Sequence, residues 1–265
     1  MINYLRFELS FKNISQLEKK LNFCKLNKIK NINIPCKGLI KKELYNSTMK
    51  FISRNFPEFN VTYHYSIYHQ FSKNKEKSYQ DFLDFLRNSY SNKNYEVLLV
   101  SGSNKKKNFD AINVLSNLKK EKNLKVKLGI AYNPYLEKYY EVSSERERLE
   151  RKISSGLINS IWFQYGTDIK ELNNVVTYLK KNAKYQKLNL FGSLFIPSKQ
   201  FISRFKFRPW KGVHISEDYL CSLQDFCFFT GDLVDFYKNN NITPLIETDF
   251  SSSEKLKSVY SFFRK

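Results

Sequence analysis

Several residue types and patterns are scarce in this sequence, and each scarcity argues against a class of protein. Among 265 residues there are 8 glycines, 6 prolines and 4 cysteines, and no stretch forms a low-complexity linker. The glycine-rich turn GxGxxG is absent, which disfavours an open, doubly wound dinucleotide-binding sheet. No apolar run reaches the roughly 18 to 20 residues that a membrane-spanning helix needs. These absences favour one globular domain.

Cysteine and histidine are too few and too scattered to predict a metal site. The cysteines show neither CxxC spacing nor histidine partners at zinc-finger distances; they are Cys24, Cys36, Cys221 and Cys227. Free thiols in a reducing compartment are expected, with Cys221 and Cys227 in the core, and His69 and His214 lack a third ligand. The opening MINYLRFELSF has no long apolar region. We therefore expect a cytoplasmic protein with no metal and no membrane partner.

Acidic residues are also scarce relative to basic ones. Lysine and arginine number 45 against 25 for aspartate and glutamate, which gives a formal net charge of +20. Such an excess ordinarily indicates nucleic acid or an anionic surface as a partner. Here the lysines are dispersed along the chain, and Lys105 to Lys107 is the only run of three. Nucleic acid is therefore not expected as a partner.

The residues that are present alternate between short apolar runs and amphipathic segments. Strands are predicted at 4–9, 31–34, 59–67, 95–100, 124–131, 160–164, 187–194 and 242–247. Helical periodicity follows each strand, with one helix from Glu217 to Asn240 and a last helix capped by Ser251 with Glu254. Parallel strands need such crossovers, so the pattern predicts a (β/α)8 TIM barrel in a single domain over residues 1–265. The doubly wound sheet is the alternative.

Polar side chains stand at the ends of the predicted strands, where a barrel of this kind gathers its active site. They are Glu8, His64, Ser101, Gly102, Ser103, Tyr132, Gln164 and Glu247. A carboxylate inside a strand is costly to bury unless it is paired or used, so Glu8 is the first candidate for chemistry. A structural ion pair between Glu8 and a lysine is the alternative.

One helix carries an unusual arrangement of charges. Ser144 and Glu147 form a capping-box pattern, and Gly156 suits the end of the helix. Glu145, Arg148 and Lys152 then fall on one stripe, at spacings of i, i+3 and i+7. The stripe is either a solvated helix face or a site at which Arg148 and Lys152 hold the diphosphate of a nucleotide cofactor.

The order of these elements resembles the methylenetetrahydrofolate reductase family, a flavin-dependent (β/α)8 barrel. Phe7, Glu8 and Leu9 resemble its FEF motif; Tyr63 to Ser66 resemble PHLTC; Ser101 to Ser103 stand where the family has RGD. Ala131 and Tyr132 match AAYPE, and Glu145, Arg148 and Lys152 correspond to the D-x-x-N-x-x-x-K helix. Phe163 and Gln164 resemble ITQ-F-F, and Gly192 to Pro197 resemble PGI-x-P. The resemblance spans most of the chain.

The resemblance implies that FAD, reduced by NADH or NADPH, passes hydride to methylenetetrahydrofolate and forms methyltetrahydrofolate. Glu8 would be the general acid and Gln164 would contact the folate. The implied cofactor-binding positions are His64, Ser101, Gly102, Ser103, Ala131, Tyr132, Glu145, Arg148 and Lys152.

Ser101 and Ser103 replace the arginine and aspartate of RGD, and this change keeps two other hypotheses open. One is a folate-binding paralogue that carries out C1 or methyl transfer without hydride chemistry. The other is a non-enzymatic, anion-binding protein. The sequence also leaves open whether the chain forms a homo-oligomer.

Overall fold

Eight parallel strands close into one barrel, in the order in which they occur along the chain. The structure, a computed structural model, describes residues 4–36, 42–89, 95–101, 109–121, 126–139 and 145–264. The closed (β/α)8 TIM barrel predicted from the sequence is confirmed. The strands are β1 (Arg6–Glu8), β2 (Asn31–Ile34), β3 (Asn60–Ser66), β4 (Tyr95–Val100), β5 (Leu128–Tyr132), β6 (Ile158–Phe163), β7 (Asn189–Leu194) and β8 (Ile242–Ile246).

Helices connect the strands, as the parallel arrangement requires. Within the described residues they are α1 (Ile14–Leu26), α2 (Lys42–Asn55), α3 (Lys75–Ser89), α4 (Ala111–Leu118), α5 (Leu136–Tyr139), α6 (Glu145–Ile153), α7 (Ile169–Lys181), α8 (Lys199–Phe207), α9 (Glu217–Cys221), α10 (Leu223–Asn239) and α11 (Ser253–Ser261). None of the helices in this part of the chain is both long and apolar enough to cross a bilayer.

Local sequence signals explain where several helices begin. The side chains of Asn13, Asp168 and Ser198 each accept a hydrogen bond from a backbone N–H in the first turn of their helix. Asp110 and Asn113 form a reciprocal capping box at the start of α4. Gly156, which follows α6, has a φ of +76°, as expected of a glycine after a helix. Ser144, the predicted cap of α6, lies outside the described residues.

The structure corrects three predictions about the last third of the chain. The helix predicted from Glu217 to Asn240 is divided at Ser222, whose extended backbone ends α9 and whose hydroxyl caps α10 by accepting from Asp225 N–H. The cap of the last helix is Ser252, which accepts from Lys255 N–H, and not Ser251. Cys221 is exposed and Cys227 is half-buried, because α10 buries its Phe226, Phe229 and Leu233 face instead.

The chain divides into two compact units. The β1–β5 unit comprises Arg6–Ala131 and Arg148–Asn159. The β6–β8 unit comprises Met1–Leu5, Tyr132–Glu147 and Ser160–Lys265.

Close packing in the β6–β8 unit depends on a glycine in β7. A Cβ atom on Gly192 would lie 2.3 Å from a ring carbon of Tyr237. Tyr237 is buried on α10, and its hydroxyl donates to the Ser193 carbonyl at 2.9 Å. The missing side chain therefore lets α10 approach the strand.

Candidate functional site

Glu8 and His64 lie close together in the β1–β5 unit. Glu8 ends β1 and is 8% exposed; its Oε2 atom is 4.0 Å from Nδ1 of His64, which lies in β3. The Ser10 hydroxyl donates to Glu8 Oε1 at 3.3 Å. The structure thus brings together a carboxylate and an imidazole that the sequence places 56 positions apart. Such a pair can hold and pass on a proton.

A buried arginine anchors this pair from one layer deeper in the barrel. Side chains alternate along a strand, so Arg6 and Glu8 share a face of β1. The Arg6 guanidinium donates to Asn33 Oδ1 and to Thr62 Oγ1, each at 2.8 Å, and to the carbonyls of Ile32 and Asn60. Burial lowers the pKa of Arg6 to about 10, opposed by the negative charge of Glu96. Arg6 therefore remains charged at neutral pH and ties β1 to β2 and β3.

The hydrogen bonds of Asn33 determine which nitrogen of His64 carries the proton. A guanidinium has only donors, so the Asn33 atom that faces Arg6 must be its oxygen, and the NH₂ group faces His64. Asn33 Nδ2 lies 2.8 Å from His64 Nε2. Because that amide nitrogen can only donate, Nε2 accepts, and neutral His64 carries its proton on Nδ1. The protonated nitrogen is the one nearest Glu8.

Two of the three residues on the charged stripe of α6 are buried. Lys152 is 4% exposed, and its ammonium group donates to the carbonyl of Ala131 in β5 at 3.2 Å. Arg148 forms an ion pair with Asp110 at 2.8 Å. Glu145 is buried as well, in the β6–β8 unit. The solvated-face interpretation is therefore wrong for Glu145 and Lys152, since both are packed away from water.

The end of β4 is only partly described. The hydroxyl of Ser101 accepts from the N–H of Ala111 at 3.1 Å, so Ser101 supports the start of α4. Gly102 and Ser103 lie outside the described residues. Asp110, which sequence reasoning did not single out, supplies a carboxylate after β4 and binds Arg148.

In the β6–β8 unit, Gln164 follows β6 and has one end of its amide group engaged. Its Oε1 accepts from the N–H of Tyr165 at 3.1 Å, and its own backbone N–H donates to the Tyr132 carbonyl at 2.9 Å. The Nε2 group has no hydrogen-bond partner in the described part of the chain. It can therefore donate to a ligand acceptor.

Tyr132, which ends β5, is almost fully buried. It is 3% exposed and packs edge to face against Phe163, with ring centroids 6.4 Å apart. Burial raises the pKa of Tyr132 to about 12, against the positive charge of Arg146 and together with Glu137 and Glu145. Little of the Tyr132 ring is therefore exposed to solvent.

Another acid lies at the end of β8. The hydroxyl of Ser193 in β7 donates to the Glu247 carboxylate, and the Glu247 N–H donates to the Leu194 carbonyl at 3.0 Å. Glu247 was among the polar strand ends expected from the sequence, whereas Ser193 was not. No group of histidine, cysteine and acidic side chains among the described residues could hold a metal ion.

Sequence reasoning missed Arg6 and Asn33, although a signal was present for both. Arg6 and Glu8 alternate on one strand face, and NINI places Asn33 between two isoleucines in a short strand. A buried polar residue in such a strand must find a partner. The pattern therefore indicates a network, although it does not identify which partners meet.

No protein-family model and no curated protein matches the sequence. Solved structures nevertheless share its fold. An uncharacterised Clostridium thermocellum protein that binds two copies of 5-methyl-5,6,7,8-tetrahydrofolic acid matches with a TM-score of 0.63 at 13% identity, over 97% of this chain and 92% of its own.

Two enzymes are also similar in structure. A thermostable aldo-keto reductase matches with a TM-score of 0.57 at 12% identity, over 99% of this chain and 90% of its own. The catalytic domain of a Pyrococcus furiosus chitinase matches with a TM-score of 0.52 at 13% identity, over 92% of this chain and 83% of its own. At such low identity these similarities show the barrel fold alone.

Proposed function

We propose that the chain binds a reduced folate and protonates it through Glu8, as the folate half of a flavin-dependent reduction of methylenetetrahydrofolate. The observation that carries this proposal is the chain of contacts from Arg6 through Asn33 and His64 towards Glu8. This network holds the Nδ1 proton of His64 beside the nearly buried carboxylate of Glu8. A general acid must be held in place at the atom that it protonates, and this network positions the carboxyl group of Glu8.

The roles of the chain's own groups follow from this geometry. Glu8 gives its proton to a folate nitrogen and opens the bridging ring to an iminium ion. His64, with its proton on Nδ1, directs this N–H towards the Glu8 carboxylate and stabilises the charge that remains once Glu8 has given up its proton; solvent returns the proton to Glu8. Asn33 and Arg6 maintain the orientation of His64 without contacting the ligand.

The residues of α6 fit the charge of a flavin dinucleotide. Lys152 directs a buried ammonium group to the end of β5, and Arg148 lies one turn away on the same helix. Both would neutralise the diphosphate, with Arg148 shared between the ligand and Asp110. Bound FAD, reduced by NADH or NADPH, would supply the electrons.

Two further observations support a folate ligand. The similar Clostridium thermocellum barrel binds 5-methyl-5,6,7,8-tetrahydrofolic acid. Within the β6–β8 unit, the Nε2 group of Gln164 is a donor of the kind that a pterin carbonyl or ring nitrogen accepts from. The resemblance to the reductase family also implies a folate contact for Gln164.

The proposal is tested by anaerobic mixing of FAD-loaded protein, first with NADH and then with methylenetetrahydrofolate. Flavin absorbance should bleach in the first step and recover in the second. Glu8→Gln should slow the recovery by at least about a hundredfold and leave the bleaching unchanged, because only the second step needs the proton.

Lys12→Gln provides the control for the test of Glu8, since Lys12 is an exposed side chain in the loop after β1. It should leave both steps unchanged. Equal loss of both steps in Glu8→Gln would show that Glu8 is structural. A protein that takes up neither FAD nor folate would refute the proposal altogether.

A folate-binding protein that transfers a C1 or methyl group without hydride chemistry is the second candidate. Ser101 stands where the family has the arginine of RGD, and its hydroxyl is engaged with α4. The similar Clostridium thermocellum protein binds 5-methyl-5,6,7,8-tetrahydrofolic acid. Calorimetric titrations with 5-methyltetrahydrofolate and with FAD separate the two candidate functions. A folate-binding protein without hydride chemistry should release or absorb heat with the folate and show no binding heat with FAD.

A further inference from the structure

An exposed segment of the β6–β8 unit combines projecting aromatic rings with positive charge. We call residues 204–211, of sequence RFKFRPWK, the Arg204–Lys211 segment. It covers the end of α8 and the loop that follows. Phe207 is 91% exposed and Trp210 is 38% exposed. Single exposed apolar side chains are common, but two large rings on one short segment with several cations form a patch of the kind that binds a partner.

The helix geometry directs these rings outwards. α8 packs through Ile202 and Phe205, which are buried. Phe207 follows Phe205 by two residues, or about 200° around the helix, and so projects from the opposite side. Trp210 is held in place by ring contacts with Phe195, Phe201 and Phe205.

The loop after α8 is also fixed. The Asn133 amide donates to the Gly212 carbonyl at 2.7 Å, and the Val213 N–H donates to the Trp210 carbonyl at 3.1 Å. The rings therefore project from an ordered base. Little entropy would be lost in presenting them to a partner.

The charged side chains around these rings are all positive. The segment carries Arg204, Lys206, Arg208 and Lys211, all exposed, and residues 198–216 contain no aspartate or glutamate. None of the four cations forms an ion pair with a residue that the structure describes. The formal net charge of the protein, +20, has the same sign.

We propose that the Arg204–Lys211 segment docks the protein on the surface of an anionic lipid bilayer. Phe207 enters the headgroup and acyl boundary, Trp210 lies at headgroup level, and the four cations face the acidic headgroups. This is peripheral binding and needs no spanning helix. The expectation of no membrane partner rested on the lack of such a helix, and the exposure of Phe207 is visible only in the structure.

Lipid suits this surface better than nucleic acid does. Single strands are held in basic grooves, where bases stack on the faces of aromatic rings. Phe207 instead projects from the end of a helix, so it offers no groove. A fluid headgroup layer can close around a projecting ring and contact the surrounding cations at the same time.

Vesicle co-sedimentation of the full chain tests the proposal. Vesicles in which roughly one third of the lipid is phosphatidylserine should bind the protein, and pure phosphatidylcholine vesicles should bind it at least about tenfold more weakly. Phe207→Ser should lower the partition coefficient about tenfold or more, and so should Lys206→Gln with Arg208→Gln. Raising NaCl to about 0.5 M should release the protein.

Matched controls exist elsewhere on the surface. Phe228 is 63% exposed but lies on α10 with Asp225 and Asp232 at helical spacing, so Phe228→Ser should not change binding. Lys119→Gln with Lys120→Gln removes the same charge from an exposed turn after α4 and should have little effect.

Tryptophan fluorescence gives a second readout, because the protein has 2 tryptophans and Trp162 is buried against Phe191. Vesicles should shift the emission of Trp210 to the blue, and Trp210→Phe should remove the shift. Equal losses in the segment and control variants would overturn the proposal. Binding of a single-stranded oligonucleotide without vesicle binding would also overturn it and assign the segment to nucleic acid.

Discussion

The tautomer of neutral His64 depends on Arg6 and Asn33, which do not contact the ligand in the proposed site. Arg6 can only donate, so it orients the Asn33 amide, and the amide in turn leaves Nε2 of His64 as an acceptor. A histidine in solution has no such constraint. The proton on Nδ1 is therefore a property of this buried network, and it can be tested without measuring activity.

Asn33→Asp should reverse the tautomer of His64. The new carboxylate still accepts from Arg6, but it offers His64 a second acceptor in place of the amide donor. Nε2 should then carry a proton, and the pKa of His64 should rise because a negative charge lies beside it. Long-range ¹H–¹⁵N spectra report both changes, and the chain has 3 histidines to resolve.

The signals of His69 and His214 serve as internal controls for Asn33→Asp. Both histidines have a pKa lowered by burial, and neither belongs to the hydrogen-bond network of Arg6, Asn33 and His64. Their spectra should not change. If neutral His64 in the parent protein already carries its proton on Nε2, the proposed network is wrong.

An ion-pair cluster fastens α2 to α3 in the β1–β5 unit. Asp81 of α3 binds Lys42 of α2 at 2.5 Å, Lys77 at 2.8 Å and the hydroxyl of Ser72 at 2.5 Å. Burial by itself would raise the pKa of Asp81, but the hydrogen bonds from Lys42, Lys77 and Ser72 lower it. We call this cluster the Asp81 clamp; it holds only while the Asp81 carboxylate is ionised.

Asp81→Asn should lower the free energy of unfolding by about 1 kcal/mol at neutral pH. The folded pKa of Asp81 lies below its unfolded value, so the stabilisation is complete above about pH 4 and is lost as the pH falls through the folded pKa. The difference between variant and parent should shrink in acid. Urea unfolding of both proteins at a series of pH values measures this difference in the free energy of unfolding.

Asp84 is a suitable comparison on the same helix. It pairs with Arg87 at 3.3 Å and is half-exposed, so Asp84→Asn should change the free energy of unfolding by no more than a few tenths of a kcal/mol. Equal effects of the two variants would show that the contact of Asp81 with Lys42 adds nothing.

The formal net charge of +20 affects the folded chain as a unit. Self-repulsion among 45 basic residues destabilises a compact state, and salt screens it over a Debye length of about 10 Å at 0.1 M. Raising NaCl from about 0.02 M to about 0.3 M should therefore raise the melting temperature.

The Asp81→Asn variant adds a check on the salt effect, because salt also weakens the Asp81 clamp of the parent protein. The variant should gain at least as much melting temperature as the parent protein does. Sucrose stabilises proteins without screening charge, so a comparison with sucrose separates charge screening from general stabilisation by a solute. A melting temperature that falls with NaCl would show that ion pairs outweigh self-repulsion.

The order of strands and helices was accessible from the sequence because each element carries its own periodicity. β2 and β4 have the bounds predicted for them. The division at Ser222 was missed, since α9 and α10 together have one continuous amphipathic pattern. A backbone change at a single residue leaves no trace in that pattern.

Part of the candidate site could be predicted from the sequence. Glu8 and His64 were found because polar residues at strand ends are conspicuous, whereas their approach to within 4.0 Å was not predictable. The role of Asn33 depends on the direction of one amide group. Only the position of Arg6 settles that direction, and no spacing in the sequence encodes it.

The sequence by itself determined the barrel, because alternation of strand and helix is a local property and parallel strands admit few closed arrangements. It also determined the sign of the charge and the chemistry available at each strand end. Tertiary structure alone decided which nitrogen of His64 is protonated, that Lys152 is buried and that Phe207 is exposed. These depend on contacts between residues far apart in the chain, and local periodicity carries no information about them.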